Sequence, residues 1–431
     1  MTTPPPEPAE PAASAEPAAP AAPVALFGPA FAADPHGHYA LLRERGPLAA
    51  VEIAPGVPAL LVTDYQAALE VLRDTQTFSK DPRSWQQGLP ADSPVLPMLG
   101  WRPTALFSDG EQHARYRQAI TDSFALIEPH LLQEQVAQVA GELIQRFATA
   151  GTADLIQQYA RQLPLHVMNA WFGVPDADSD RLVAGMAGMM ESTAQAAAAY
   201  ADFVTVVSRL VADRRARPSR DLISWFLGHH AELDDGEVVR QLTLTMSAGH
   251  EPTTNLIGNA LLRMLTDDRY AGSLFGGAMT AREAIDDVLW RDPPLANFSA
   301  HYPRFDTELH GVRLPAGQLV LVSYAAANTQ VAPDRSDTVV RSGDGAHLAW
   351  AAGPHACPAR QPALLIAITA IEQLTSQLCD LELAVPEPEL VWRPGPFHRA
   401  LAHLPVRFSP LPVRTPDDEE ADTGPVYLPA G

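Results

Sequence analysis

The chain is short of cysteine, of basic residues near its start and of uninterrupted apolar runs, and each shortage narrows what it can be. Two cysteines in 431 residues, Cys357 and Cys379, cannot staple a chain of this length, which excludes a disulfide scaffold. A buried apolar thiol is the default reading for Cys379, in an apolar helical stretch. No Lys or Arg precedes Arg43, so the basic start of a secretory signal is missing. No stretch of about twenty apolar residues runs unbroken; residues 186–211 come closest, but Glu191, Ser192, Gln195 and Asp202 interrupt them. These shortages predict a cytoplasmic protein with no membrane span. Positive charge is also scarce. The formal net charge is −21, and an acidic surface repels phosphate backbones, so nucleic-acid binding is not expected. A positively charged protein partner would suit it, and a monomer is expected.

What is present is enough apolar content, 46%, to bury a large core. Residues 1–23 are almost wholly Pro, Ala, Glu, Ser and Thr. They cannot bury enough surface to offset their ordering entropy and are predicted to be disordered. The acidic tail, residues 414–431, is read the same way. Between them, residues 24–413 read as one domain without internal repeats. Asp64 reads as an N-cap for a helix over 65–74. Residues 48–53 and 59–63 flank Pro55-Gly56 as a hairpin. Helices are predicted over 113–124, 127–149, 153–172, 178–215 (long enough for two), 237–266, 281–290 and 361–379. Short strands are predicted over 307–309, 312–314 and 318–323, with β runs near 390–392 and 404–408. The sum is mainly α with small β-sheets.

The segment Trp350-Ala351-Ala352-Gly353-Pro354-His355-Ala356-Cys357-Pro358-Ala359 carries the chemistry. A glycine-containing loop runs into Cys357, and a helix starts just beyond. A helix N-terminus presents free N–H groups and positive potential, which favour a thiolate. His355, two residues earlier, is placed to reach an anionic group on any cofactor that this thiolate holds. The segment resembles the haem-binding loop of the cytochrome P-450 superfamily, with Trp350 where the family usually has Phe, and Ala351 and Ala359 where it usually has Gly. The resemblance implies haem b, with Cys357 as the axial iron ligand, in a triangular, mainly helical fold. A thiolate ligand pushes electron density towards bound dioxygen.

Three further segments resemble the family in the same order. In Phe107–Arg117, His113 and Arg117 are spaced i,i+4 on one helix face and stand where the family binds haem propionates. In Met246-Ser247-Ala248-Gly249-His250-Glu251-Pro252-Thr253-Thr254-Asn255, the family activates oxygen. There Ala248 and Gly249 would approach the cofactor or dioxygen, and Glu251 would relay protons, with Thr253 in support. Pro315-Ala316-Gly317-Gln318 and Ala325-Ala326-Ala327-Asn328 match a strand–turn–strand lining the substrate cavity. Taken singly, these segments read as a solvated polar helix face, a helix kinked by proline and a surface hairpin.

Three departures stand out. The family's Glu-x-x-Arg pair appears as Asp287-Val288-Leu289-Trp290, which shortens the acid and removes the base; Trp290 is expected to stack on Arg335. Pro252 replaces the oxygen-activating Thr. It supplies no hydroxyl and leaves the Ala248 carbonyl without its helical partner, and Thr253 lies about 100° round the helix. An Arg that often contacts a propionate appears as His301, whose grip is expected to weaken as pH rises. The leading reading is a monooxygenase oxidising a small, mostly apolar substrate, with electrons from a ferredoxin and its reductase or a flavodoxin, and pocket walls over 80–101 and 183–200. A second is a haem protein using peroxide, rearranging a substrate or binding a ligand or partner. A third is a helical binding module that has lost haem.

Overall fold

The structure is a computed structural model, and it describes residues 22–412 except 176, 180, 183–195, 268, 270–279 and 333–344. The two terminal segments expected to be disordered (but for 22–23), most of the pocket wall over 183–200, and Arg335 therefore lie outside the described residues.

The longer helices are α1 Pro35–Glu44, α2 Tyr65–Arg73, α3 Gly110–Ala125, α4 Pro129–Gln145, α5 Gln162–Phe172, α6 Ala196–Ala216, α7 Asp235–Thr266, α8 Ala281–Arg291, α9 Tyr324–Val331 and α10 Arg360–Gln377. The strands are β1 Val24–Ala25, β2 Leu48–Ala54, β3 Val57–Val62, β4 Phe78–Ser79, β5 Thr152–Asp154, β6 Asn297–Pro303, β7 Thr307–Leu309, β8 Val312–Leu314, β9 Val320–Ser323, β10 Glu382–Leu383 and β11 Pro405–Arg407. They form a six-stranded sheet in the order β1-β2-β3-β9-β6-β4, a three-stranded sheet β10-β11-β5 and the β7-β8 hairpin. The mainly helical expectation with small sheets holds.

Local chemistry explains the boundaries. The Asp64 carboxylate accepts from the Ala67 N–H and caps α2, as expected for an acid at that position. The long α7 starts with a capping box, Asp234 and Glu237 satisfying each other's backbone N–H groups. Its middle and C-terminal half are buried on nearly all sides, with Leu256, Ile257, Ala260 and Leu261 in one core with Val136, Ala140, Leu143, Val288, Ala367 and Ile371. That core joins α4, α5, α7, α8 and α10. A second core lies under the large sheet, where Val51, Ile53, Leu61 and Leu321 pack against Tyr39 and Leu42 of α1.

Four expectations are corrected. The single helix over 153–172 is three pieces: β5 pairs with β11, Ile156–Ala160 forms a wider π turn, and only then does α5 begin. The Asp154 side chain accepts from the Ile156 N–H, turning the chain out of the sheet. β6, unforeseen, is a central strand paired with β9 and β4. Its polar residues hide it, and the Asn297 amide nitrogen is used internally, donating to the Tyr39 hydroxyl at 3.0 Å and to the Pro396 carbonyl at 2.8 Å. The β run near 390–392 is a single bridge, Trp392 to Leu401. Cys379 is exposed, because α10 stops at Gln377 and the chain turns at Asp380, whose φ is 55°.

Candidate active site

Cys357 is set by a tightly wound loop. Turns over Leu348–Trp350 and Gly353–His355 bring the Cys357 N–H to the Trp350 carbonyl at 2.8 Å. Gly353 has φ +69°, and a Cβ there would lie 2.3 Å from the Leu72 carbonyl oxygen, so only glycine fits against α2. Ala351 has φ 57° and ψ −171°, a region that glycine occupies readily and alanine only under strain. Asn328 of α9 ties the loop to α8: it donates to the Leu289 carbonyl at 3.0 Å and accepts from the Leu348 N–H at 2.6 Å. Beyond Cys357, Ala359 opens the eighteen-residue α10. Burial pushes the Cys357 thiol up, and the Ala359 N–H, Arg117 and Arg360 pull it back only in part.

Basic groups converge beside this loop. Arg117 of α3 donates to the Ala356 carbonyl at 2.5 Å. One helical turn earlier, His113 stacks on His355 with ring centres 4.0 Å apart. The His113 Nε2 is buried and has no hydrogen-bond partner among the described residues. Burial first, then the neighbouring cations, hold His113 and His355 below the usual histidine value. His301, on β6, is fully enclosed; its Nδ1 lies 2.6 Å from the Ser299 carbonyl. A carbonyl only accepts, so Nδ1 carries the proton, and the neutral ring offers a lone pair at Nε2 rather than an N–H. Burial, reinforced by Lys80, holds its pKa well below 6.5. The loss of charge expected at His301 therefore falls at lower pH than for an ordinary histidine.

Lys80 was not singled out from sequence. It lies 3% exposed, acts electrostatically on His113, His301 and His355, and is the only lysine in the chain, which was the available signal. The carboxylate in this group is Asp109. It is already engaged by the Ser79 hydroxyl at 2.6 Å and by Arg304 at 2.8 Å. Lys80, Arg117, His113 and His355 thus gather in a region short of negative charge, with His301 beside them as an acceptor and the buried His113 Nε2 unpartnered. That donor set fits a dianionic group beside a sulfur, which is what haem b presents with its two propionates and its iron.

The central helix α7 bears an accessible stripe at Leu244, Ala248 and Pro252, spaced i,i+4, while Glu251, Thr253 and Thr254 are buried. Ala248 and Pro252 therefore face open space within an otherwise packed helix. At Gly249 a Cβ would lie 2.9 Å from Cε of Met168, so its small size admits a side chain of α5. The Thr253 hydroxyl donates to the Gly249 carbonyl at 2.7 Å. Glu251 is ion-paired with Arg393. Burial raises its carboxyl, but Arg393 and His250 outweigh that and leave it below the ordinary glutamate value.

Asp287 is not left without a base. Its carboxylate lies 3.1 Å from Arg263 Nε and 3.0 Å from Arg291 Nε, and Arg263 reaches on to Asp292 at 2.9 Å. Trp290 meets His347 edge-on at 5.5 Å.

No family model matches the chain. Relatives and solved structures do. It is 31% identical over 391 residues to the cytochrome P450 monooxygenase PikC of Streptomyces venezuelae, covering 88% of this chain and 92% of that one. It is 31% identical to vitamin D(3) 25-hydroxylase of Pseudonocardia autotrophica, over 89% of this chain and 96% of the other. Among solved structures, testerone-bound CYP154C4 from Streptomyces sp. ATCC 11861 superposes with a TM-score of 0.82 at 28% identity, covering 90% of this chain and 98% of that one. The chain belongs to the cytochrome P450 superfamily, as a bacterial-type monooxygenase whose cofactor is haem b. Among the described residues, no helix is long and apolar enough to cross a membrane.

Proposed function

We propose that this monooxygenase oxidises a small, mostly apolar organic substrate of secondary metabolism, drawing electrons from a ferredoxin-type partner in the cytoplasm. The observation that carries the reading is Cys357, half-buried three residues ahead of α10 beside basic groups that lack an anion. When bound, thiolate-ligated haem supplies oxygen activation. Cys357 provides the ligand sulfur, steadied by the Ala359 N–H and by the positive end of α10. Arg117 and His113 hold the acidic edge, and His355 braces His113 by ring contact. The apolar side chains of the Leu244–Ala248–Pro252 stripe shape the substrate side. Relatives named for hydroxylating vitamin D(3) and 2-hydroxy-5-methyl-1-naphthoate support a carbon-rich substrate.

Proton delivery distinguishes a second reading. Thr253 spends its hydroxyl on Gly249 and Glu251 is clasped by Arg393, so neither offers a free proton where Pro252 replaces a hydroxyl. Pro252 lacks an N–H, which frees the Ala248 carbonyl to hold water. Glu251 can then supply protons only by leaving Arg393. This favours peroxide-driven turnover as the alternative. The test has two parts. Reduced protein under carbon monoxide should show the long-wavelength Soret band of a thiolate ligand, lost in Cys357→Ser; colourless protein that takes up no hemin refutes the reading. Turnover with reductase partners and NAD(P)H, compared with turnover on peroxide alone, then separates the two.

A further inference from the structure

Lys80 follows directly on β4, whose Ser79 pairs with Tyr302 of β6, and this places it beside His301. Its backbone N–H points at the Asp109 carboxylate, 3.2 Å from each oxygen. Its ammonium makes no hydrogen bond or ion pair among the described residues, although the residue is 3% exposed. A buried ammonium without a counter-ion is strongly disfavoured, and burial pushes its pKa down to about 7 against the pull of Asp109. Its surroundings make matters worse: Arg117, His113, His301 and His355 are all cationic or neutral, and Asp109 is shared with Ser79 and Arg304. A chain with thirty basic residues has put its one lysine where a charge is hardest to keep.

We propose that Lys80 is the charged anchor of a haem propionate, and that neutral His301 orients the ammonium by accepting from it at Nε2. The inference rests on the haem reading above. His301 cannot play the anchor, because its only proton is committed to Ser299. A lysine also carries three donors on one atom, enough to serve the His301 lone pair and a carboxylate together. Lys80 touches the edge of the cofactor and positions it; no step of the reaction passes through it.

The test uses full-length holoprotein. Haem transfer to excess apomyoglobin is timed for wild type, Lys80→Met and Lys80→Arg. Loss of one charge-assisted contact should speed transfer roughly tenfold or more in the Met variant, with the Arg variant close to wild type. The reduced carbon monoxide band should keep its position in both, since Cys357 is untouched. Because Lys80 is the sole lysine, an amine-acylating reagent reports on it alone apart from the chain terminus. Peptide mass spectrometry should find Lys80 protected in holoprotein and reactive once haem is stripped. The proposal is overturned if the Met variant releases haem no faster than wild type, if Met and Arg variants lose it equally fast, or if acylation ignores haem. Wild-type protein that takes up no haem overturns the parent reading and this one with it.

Discussion

Replacing Asp287 by Asn should cost this protein far more than an ordinary surface change. The carboxylate is 5% exposed and sits between Arg263 and Arg291, at 3.1 and 3.0 Å. Removing one partner of a buried ion pair costs about 3–5 kcal/mol, because the other charge stays behind without water. Two features soften this. Asn keeps one acceptor oxygen, and Arg263 retains Asp292 at 2.9 Å. A net loss of about 2–4 kcal/mol is expected. With an unfolding entropy of about 2.1 cal/mol/K per residue over roughly 390 residues, about 3 kcal/mol lowers Tm by about 4 °C. The effect should also reach Cys357, since α8 supports its loop through Leu289, Asn328 and Leu348. Denaturant titrations of wild type, Asp287→Asn, Arg263→Met and the double variant give the coupling directly, with about 1–3 kcal/mol expected between the two sites. A loss below about 1 kcal/mol, or a coupling near zero, would refute the idea that this cluster braces the proximal side in place of the family's acid–arginine pair.

Ala351→Gly should stabilise the holoprotein by about 1 kcal/mol, since relief of left-handed strain exceeds the added chain entropy; equal or lower stability in denaturant titration would count against strain at that turn. Glu237 is held at about 2, chiefly by Arg115, against a model-peptide value of 4.5. Its depressed pKa contributes stability that is complete above about pH 4.5 and fades as pH falls towards 2. The gap between wild type and Arg115→Ala, about 1 kcal/mol at pH 6 because the pair is partly solvated, should close over that window; a gap independent of pH would show that packing, not charge, is responsible. Pro252→Thr should raise the product formed per dioxygen consumed; unchanged coupling would remove the argument from the freed Ala248 carbonyl.

The parts of the molecule that were legible in sequence are those fixed by near neighbours. Asp64 caps a helix three residues away, Pro55-Gly56 turns a hairpin, and His113 and Arg117 share a face because 3.6 residues make a turn. What stayed hidden was decided by distant chain. Nothing near Glu251 announces Arg393, 142 positions on. The role of His301 depends on which nitrogen meets Ser299, and that of Lys80 on burial and on histidines from three other segments. β6 broke the alternating pattern of a strand because it is buried on both faces, with the Asn297 amide donating to α1 and to the C-terminal segment.

Residues 393–399 act as a late rivet through the whole molecule. Arg393 neutralises Glu251, the Arg399 carbonyl takes a hydrogen bond from Asn259, and the Arg399 guanidinium reaches back to Ala32, 367 positions earlier. A nascent chain must therefore hold its longest helix with an uncompensated acid until nearly the last tenth of the polypeptide has left the ribosome. Assembly is bound to be largely post-translational. A nonsense mutation anywhere before Arg393 should yield insoluble product.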